Sequence, residues 1–278
     1  MTRFYISADI EGAPGVVSRH QMTHSGKDYA SGQRWMTGMV AAAAKAAIES
    51  GATEIVVSDS HGLMQNILLD ELPPQVQVVR GFPRPLLMMD GIEHGRYDGA
   101  MLLGYHGGHT LFAKAIAAHT FSGAQFREVR LNGKPVNEAA ISALVAGYFG
   151  VPVVVIGGDD GFIKETSAYL PDAEVAVYKW SYSDNAARVL TPDAAAMETV
   201  RAVKAAIARL DRFRPLELPD SFAIEIDYKA RRAVEYLEYL PVFERTGPLT
   251  VQFHARDPTE MCRIIMFLAV CQFGSAGE

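Results

Sequence analysis

Residues 4–15 read FYISADIEGAPG, and this stretch decides how the first part of the chain folds. The largely apolar run from Arg3 to Ala8 is typical of a buried strand. Asp9 and Glu11 follow it two residues apart, so on an extended chain their side chains project to the same side. In one interpretation they lie in a solvated loop. If they are buried, their charges are costly unless something positive meets them.

The pattern that follows this strand alternates short apolar runs with helical periodicity. Apolar residues at helical spacing predict a helix over residues 33–49, which Ser50 and Gly51 end. A further helix is predicted around residues 139–148. Strands are predicted at 54–58 and within QVQVV (75–79), GAMLLGYHG (99–107) and VPVVVIGGDD (151–160). Continuous apolar strands separated by helices indicate an α/β protein with a mainly parallel sheet, covered on both faces.

One segment interrupts this alternation. FREVRLNGKPV (126–136) contains two extended runs around Asn132 and Gly133, which predicts a β-hairpin with a type I′ turn. Pro135 directly after the turn places the second strand at a sheet edge.

The character of the sequence changes near residue 190. Thr191 and Pro192 predict the start of a long Ala-rich helix, and the Pro-rich stretch RFRPLELPD (212–220) follows it. The remainder predicts a strand at 221–227, a helix at 229–237, a strand at 249–255 and a final helix capped by Asp257. We therefore expect two domains, an α/β metal-binding catalytic domain over residues 1–190 and a helix plus a smaller α+β unit over residues 191–278.

Composition excludes several classes of function. The 278 residues carry a net charge of −6, which argues against nucleic acid as a partner. No apolar stretch reaches the roughly 18 residues of a membrane span, and the first residues do not resemble a signal peptide, so we expect a cytoplasmic protein. Cys262 and Cys271 match no zinc or redox motif, and we expect them to be packing residues.

Polar residues gather where the predicted strands end. In open parallel sheets, ligands bind beyond the carboxyl ends of the strands. Four strand ends carry residues suited to metal binding or acid–base chemistry: Asp9 and Glu11, Asp59 and His61, His106, and Asp159 and Asp160. For the last pair, capping of the following helix is the favoured interpretation.

Imidazole and carboxylate groups together suit zinc or a related divalent ion. Asp9, Glu11, His61 and His106 therefore predict a metal site, which would also relieve the cost of burying the carboxylates. Glu138 lies in the first turn of a predicted helix, either as a further ligand or only as a complement to the helix dipole. His119 lies in a long loop and is a candidate for general acid–base catalysis or oxyanion stabilisation.

Phosphate loops, dinucleotide-binding motifs and the G-x-S-x-G nucleophile elbow are all absent from the sequence. Nucleotide binding by those routes and serine-hydrolase chemistry are therefore disfavoured.

An ordered set of motifs resembles a known family. The segments SADIEG, VVSDSHG, LLGYHG, AHTFSG, LNGKPVNE, AGYFGVPVVVIGGDD and LTVQFHARD follow in the order seen in the bacterial zinc D-aminopeptidases of the dipeptide-transport operon. The resemblance covers nearly the whole chain. It implies a doubly wound α/β domain with a smaller C-terminal domain, and an enzyme that removes N-terminal D-amino acids from short peptides or amino-acid amides.

The resemblance also implies a site. It assigns Asp9, Glu11, His61, His106 and Glu138 as ligands of two zinc ions per subunit, with Asp9 bridging them and His119 as the catalytic residue. It further implies a ring-shaped homo-oligomer, a decamer, with active sites facing an internal chamber. The loop between His106 and His119, which carries the additional His109, would border the substrate.

Two other functions remain open at this point. One is a different metal-dependent hydrolase on the same scaffold, such as an L-aminopeptidase, an amidase or a phosphoesterase. The other is a non-catalytic module that binds a metal or a peptide.

Overall fold

A seven-stranded sheet forms the centre of the molecule. The computed structural model describes residues 2–111 and 114–271. The strands of this sheet are β1 (Thr2–Ala8), β2 (Ala52–Asp59), β3 (Val76–Val79), β4 (Gly99–Tyr105), β7 (Val153–Asp159), β8 (Glu174–Ser183) and β9 (Ala186–Val189). All pair in parallel except β9, which is antiparallel to β8. The predicted mainly parallel α/β class is confirmed.

The strand order is β3-β2-β1-β4-β7-β8-β9. The chain builds outward from β1 to β2 and β3, then returns to the other side of β1 with β4. This reversal makes the gap beyond β1 and β4 a topological switch point, where doubly wound sheets bind their ligands.

Helices cover both faces of the sheet. They are α1 (Arg19–Met22), α2 (Tyr29–Glu49), α3 (Glu138–Tyr148), α4 (Asp160–Thr166), α5 (Pro192–Ala208), α6 (Arg231–Leu237) and α7 (Pro258–Val270). Phe4 and Ile6 of β1 belong to the core under α2 and α5, whereas Tyr5 belongs to the core under α3. The alternation of side chains along the strand thus supplies both cores.

A second, antiparallel sheet has the order β11-β12-β10-β5-β6. Its strands are β5 (Phe126–Leu131), β6 (Lys134–Pro135), β10 (Phe222–Tyr228), β11 (Glu244–Arg245) and β12 (Thr250–Ala255). The predicted hairpin forms β5 and β6, and Pro135 lies on the edge strand as expected. The hairpin pairs with β10, so residues from the middle of the chain complete a sheet made largely by its C-terminal part.

The helix-start predictions near the C-terminus are confirmed. The hydroxyl of Thr191 caps α5, and the carboxylate of Asp257 caps α7. Helix α5 packs against α2 and β8 of the main sheet, although it begins beyond residue 190. The division into domains over residues 1–190 and 191–278 stays a prediction.

The two cysteines are free thiols in the described part of the chain. Cys262 is buried in the core beside the second sheet, as expected of a packing residue, and Cys271 is half-buried. Over residues 2–111 and 114–271, no helix is both long and apolar enough to cross a membrane.

Candidate metal centre

The carboxyl ends of β1, β2 and β4 meet at the switch point. Asp9 follows β1, His61 follows β2 and His106 follows β4. The amide of Asp9 donates to the carbonyl of Leu103 at 2.9 Å, and the amide of Ser60 donates to the carbonyl of Ala8 at 2.8 Å. The strand ends are therefore tied to one another where the polar side chains begin.

Glycine permits a close approach of two chain segments at this point. Gly104 has a φ of +71°, and a Cβ atom there would lie 2.1 Å from the carbonyl oxygen of Asp9. A Cβ on Gly12 would lie 1.8 Å from the carbonyl oxygen of Tyr105. Any side chain at either position would separate the loop after β1 from β4, and so separate Asp9 from His106.

Glu138 reaches the same place from α3. Asn137 caps this helix by accepting a hydrogen bond from the amide of Ala140 at 2.9 Å, which fixes Glu138 as its first residue. The Glu138 side chain is buried and accepts a 2.6 Å hydrogen bond from the amide of Phe121. Its position in the first turn fits the helix dipole, but its burial among histidines goes beyond that role.

The side chains form two overlapping groups that share Asp9. In the first, Nδ1 of His61 lies 3.3 Å from Oδ1 of Asp9 and 2.7 Å from Oε2 of Glu11. In the second, Nε2 of His106 lies 3.5 Å from both Oδ2 of Asp9 and Oε2 of Glu138. Within each group one ligand atom per residue lies within 4.8 Å of the others. Asp9 therefore offers a different oxygen to each group.

Each histidine of the cluster has its outer nitrogen occupied by a backbone carbonyl. His61 Nε2 bonds to the carbonyl of Met22 at 2.7 Å, and His106 Nδ1 to that of Gly107 at 3.0 Å. A carbonyl oxygen only accepts, so these nitrogens carry protons. The inner nitrogens are left to face the carboxylates, which is the orientation that carbonyl partners give to metal-binding histidines.

The buried carboxylates of the cluster shift the pKa values of the groups around them. Burial opposes ionisation of Asp9 and, together with the charge of Glu11, raises the pKa of Asp9 well above its ordinary value. Burial also disfavours protonated His106, but the negative charges of Glu138, Asp9 and Glu11 together outweigh it and raise the pKa of His106 to about 10. The pKa of His61 is raised in the same way, against burial, by Glu11 and Asp9 together. Asp9, His61 and His106 thus bind protons more strongly than usual, and a metal ion would compete with those protons for the same lone pairs.

The residues fit a divalent metal ion. Imidazole nitrogens and carboxylate oxygens are the ligand types that zinc takes in hydrolytic sites. Nε2 of His106 is buried and, among the residues that the structure describes, has no hydrogen-bond partner. A buried polar atom without a partner is costly, and a metal ion between the two groups would satisfy it.

His119 lies against the cluster from the long loop. Its ring stacks on that of His106 with centroids 4.3 Å apart, and its Nε2 lies 3.7 Å from Oε1 of Glu138. Nδ1 of His119 donates to the carbonyl of Ala117 at 2.8 Å. Burial and the charge of His106 lower the pKa of His119, so Nε2 presents a lone pair. His119 also lies within 4.8 Å of ligand atoms of Glu11 and His106, so geometry alone allows it as a ligand.

The other strand-end residues have structural roles. The carboxylate of Asp159 caps α4 through the amide of Phe162 at 2.7 Å, as predicted. Asp59 is buried and accepts hydrogen bonds from the amides of Asn66 and Ile67, which shape the loop after β2. His109 is exposed and lies outside the cluster, in the wall of a neighbouring cavity.

Lys179 supports the site, although nothing in the sequence pattern predicts this role. It lies on β8 and is fully buried, and its ammonium donates to the carbonyls of Glu11, Ala13 and Val16. Desolvation lowers its pKa to about 8. Because all three acceptors lie in the loop after β1, Lys179 fixes the backbone that carries Glu11.

Glu165 on α4 is a second such residue. Its Oε2 accepts from the amide of Gly108 at 2.9 Å and from the side chain of Asn137 at 3.1 Å. It thereby ties the loop after His106 to the cap of the helix that carries Glu138. Burial raises the pKa of Glu165 to about 7.

Comparison with known proteins identifies the family. The M55 peptidase family, described as D-aminopeptidase, matches residues 2–267. The chain belongs to the M55 D-aminopeptidase family. This M55 member is 30% identical over 270 residues to a D-aminopeptidase of Bacillus subtilis strain 168, covering 96% of both chains. It also matches the structure of the Zn-dependent D-aminopeptidase DppA from Bacillus subtilis, a self-compartmentalizing protease, with a TM-score of 0.90 and 29% identity over 98% of this chain and 99% of that one.

Family membership confirms two predictions made from the sequence. The M55 member is an enzyme, a hydrolase of the aminopeptidase class. Its architecture of a mainly parallel sheet with a separate antiparallel sheet is that of the Bacillus subtilis structure over nearly the whole length of both chains.

Proposed function

We propose that this enzyme is a two-zinc D-aminopeptidase whose metal ligands are Asp9, Glu11, His61, His106 and Glu138. The observation that carries the proposal is the position of Asp9, whose two oxygens face two different ligand groups. One ion would be held by Asp9, Glu11 and His61. The other would be held by Asp9, His106 and Glu138, with Asp9 shared.

The chemistry that zinc supplies in such a site is a bound water with a pKa of about 7 and a polarised substrate carbonyl. The chain's own residues do the rest. A carboxylate oxygen of Glu11 or Glu138 that is not engaged with an ion would accept a hydrogen bond from the free N-terminal amine of a peptide. Nε2 of His119 would accept a proton from the attacking water, which is supported by its position beside Glu138 and by the hydrogen bond that Nδ1 donates to Ala117. His119 then passes that proton to the leaving amine as the carbon–nitrogen bond breaks.

The substrate and the assembly extend the proposal beyond the site. We propose N-terminal D-amino acids of short peptides or amides as substrates, because both Bacillus subtilis relatives are D-aminopeptidases. We also propose a ring-shaped homo-oligomer, a decamer, because the solved relative is self-compartmentalizing. A cytoplasmic location stays a prediction from the sequence.

The test compares metal-free and zinc-reloaded protein on D-Ala-D-Ala and L-Ala-L-Ala. We expect hydrolysis of the D-dipeptide only with zinc, and a preference for the D over the L isomer. Equal hydrolysis with and without zinc would contradict a metal-dependent reaction. Light scattering of the same preparation measures the assembly, and a monomer would contradict the ring.

Two alternatives become outcomes of the same assay. Faster cleavage of L-peptides, amino-acid amides or phosphoesters would identify another metal-dependent hydrolase. Stoichiometric zinc without turnover of any substrate would identify a binding module.

A further inference from the structure

Two cavities adjoin the metal-binding cluster. One has a volume of about 540 Å³ and the other about 430 Å³. Glu11, His61 and His119 line both of them. A substrate whose scissile bond lies over the cluster would therefore extend into both cavities. We call the larger one the apolar cavity and the smaller one the polar cavity.

The apolar cavity has a largely uncharged wall beyond the cluster, in which apolar side chains alternate with neutral polar ones such as Ser60, Gln65 and Asn66. Its lining contains no Lys or Arg among the described residues, and much of its wall is made by Leu63, Phe82, Leu87, Met88, Phe121 and Met266. Such a wall gains free energy from burying an uncharged side chain and offers no partner to a carboxylate. It suits the side chain of the N-terminal residue of a peptide.

Two cationic side chains, Arg19 and Lys229, line the polar cavity. The ammonium of Lys229 donates to the carbonyl of Gly123 at 2.5 Å. Gly123 packs closely on His119, since a Cβ there would lie 3.1 Å from Cβ of His119. The ammonium is thus held beside the residue proposed to protonate the leaving amine.

Arg19 reaches the polar cavity from the other wall. It begins α1, which ends at Met22, and the carbonyl of Met22 fixes the ring of His61. Neither Arg19 nor Lys229 forms an ion pair with a carboxylate in the part of the chain that the structure describes. The lining of the polar cavity also contains the carboxylates of Glu11 and Asp184, and Asp184 accepts a hydrogen bond from the side chain of Asn185.

We infer that the polar cavity binds the C-terminal carboxylate of a short peptide through Arg19 and Lys229. This inference rests on the proposed function. With the N-terminal side chain in the apolar cavity and the scissile bond over the cluster, a dipeptide would extend its free carboxylate into the polar cavity, toward the two cations. The enzyme is then selective for very short peptides with a free carboxylate, since a carboxylate paired with guanidinium and ammonium groups binds more strongly than a neutral amide.

The test uses D-Ala-D-Ala and its C-terminal amide, D-Ala-D-Ala-NH₂, which differ only in the charged group. Steady-state kinetics are measured on the zinc-loaded wild-type assembly, on the double variant Arg19→Ala/Lys229→Ala, and on Lys45→Ala as a control. Lys45 is an exposed lysine of α2 outside both cavities.

We expect the double variant to raise the KM of the free acid about tenfold more than the KM of the amide, since two partly exposed ion pairs are lost. The kcat of the two substrates changes little, because neither cation touches the scissile bond. Added salt raises the KM of the free acid in the wild type. Lys45→Ala behaves like the wild type.

An equal change in KM for both substrates, or no change, overturns this inference while leaving the proposed function intact. If the wild type hydrolyses neither substrate with zinc bound, the proposed function itself fails, and this inference with it. A double variant that cleaves the amide is shown to be folded, so its KM for the free acid decides the question. A double variant that cleaves neither substrate is replaced by Arg19→Gln/Lys229→Gln under the same comparison.

Discussion

Buried and half-buried carboxylates are treated differently in the two sheets. In the antiparallel sheet, Arg130 lies 2.8 Å from Glu225, and Arg127 pairs with Asp227. At the carboxyl ends of the parallel sheet, Asp9, Glu11 and Glu138 are as deeply buried as Asp227, yet no Lys or Arg in the described residues forms an ion pair with them. Their charged or chargeable neighbours are histidines.

This difference shows what each arrangement is for. The chain supplies guanidinium groups where a carboxylate needs only a structural partner. Where it leaves three carboxylates to histidines whose outer nitrogens are already bonded, the positive charge comes either from protons on the inner nitrogens or from a metal ion in their place. The strand-end carboxylates therefore fit the metal site that we propose, whereas those of the antiparallel sheet already have cationic partners.

Replacing one buried Asp by Asn in each sheet tests this difference, and we expect it to give the largest change in activity and zinc content. Asp9→Asn removes the charge shared by the two ligand groups, and we expect kcat/KM for D-Ala-D-Ala to fall at least about 1000-fold, with less than two zinc ions bound per chain. The measurement is steady-state kinetics together with elemental analysis.

The matched control is Asp227→Asn, which changes an equally buried carboxylate paired with Arg127. We expect it to keep its zinc and its activity. If the two variants lost zinc to the same extent, the distinction between the sheets would be wrong.

His119 separates catalysis from metal binding within the cluster. We expect His119→Ala to lower kcat about 100-fold or more while two zinc ions remain bound, because we propose that its Nε2 moves a proton and is not a metal ligand. The measurement is kcat alongside the zinc content. Loss of zinc in this variant would make His119 a ligand, as its distance from Glu11 and His106 allows.

Lys179 tests whether a charge in the parallel sheet acts on the backbone rather than on a carboxylate. Lys179→Met leaves the carbonyls of Glu11, Ala13 and Val16 without their donor. We expect the free energy of unfolding to fall by about 2 to 4 kcal/mol and zinc to bind about tenfold more weakly, measured by chelator competition.

Lys204→Met is the control for this prediction, because Lys204 forms an exposed pair with Glu49 worth less than about 1 kcal/mol. Unchanged zinc affinity in Lys179→Met would show that the loop keeps its shape without the ammonium.

The smallest effect concerns metal-free protein. The pKa of Asp9 is raised in the fold by burial and by Glu11, so the unfolded chain binds fewer protons than the folded one as pH rises. Stability without metal is therefore lost above the unfolded pKa. At pH 7 we expect Asp9→Asn to raise the free energy of unfolding of metal-free protein by on the order of 1 kcal/mol. A fall in this free energy, measured by urea denaturation, would contradict the prediction.

Local sequence patterns were sufficient to predict where the first strand and the capped helices lie and which residues follow the strands. The apolar run before Asp9 and the Thr191 and Asp257 caps act within a few residues, so their elements appear where the sequence predicts them. Because strands aligned in parallel bring their carboxyl ends together, the convergence of Asp9, His61 and His106 also follows from local patterns.

Contacts between residues far apart in the sequence could not be predicted from these local patterns. Lys179 lies more than 160 residues from the carbonyls that it holds, and no periodicity links it to them. The pairing of the hairpin with β10 joins residues about 95 positions apart, a register that only the assembled fold defines. The role of Glu165 likewise depends on α4 packing beside the loop after His106.

The most direct test of the two-metal site is a crystal structure of the zinc-loaded enzyme with anomalous diffraction measured at the zinc edge. We expect two peaks per chain, one among Asp9, Glu11 and His61 and one among Asp9, His106 and Glu138. A single peak, or peaks away from Asp9, would contradict the claim that the strand-end carboxylates are assembled around two metal ions.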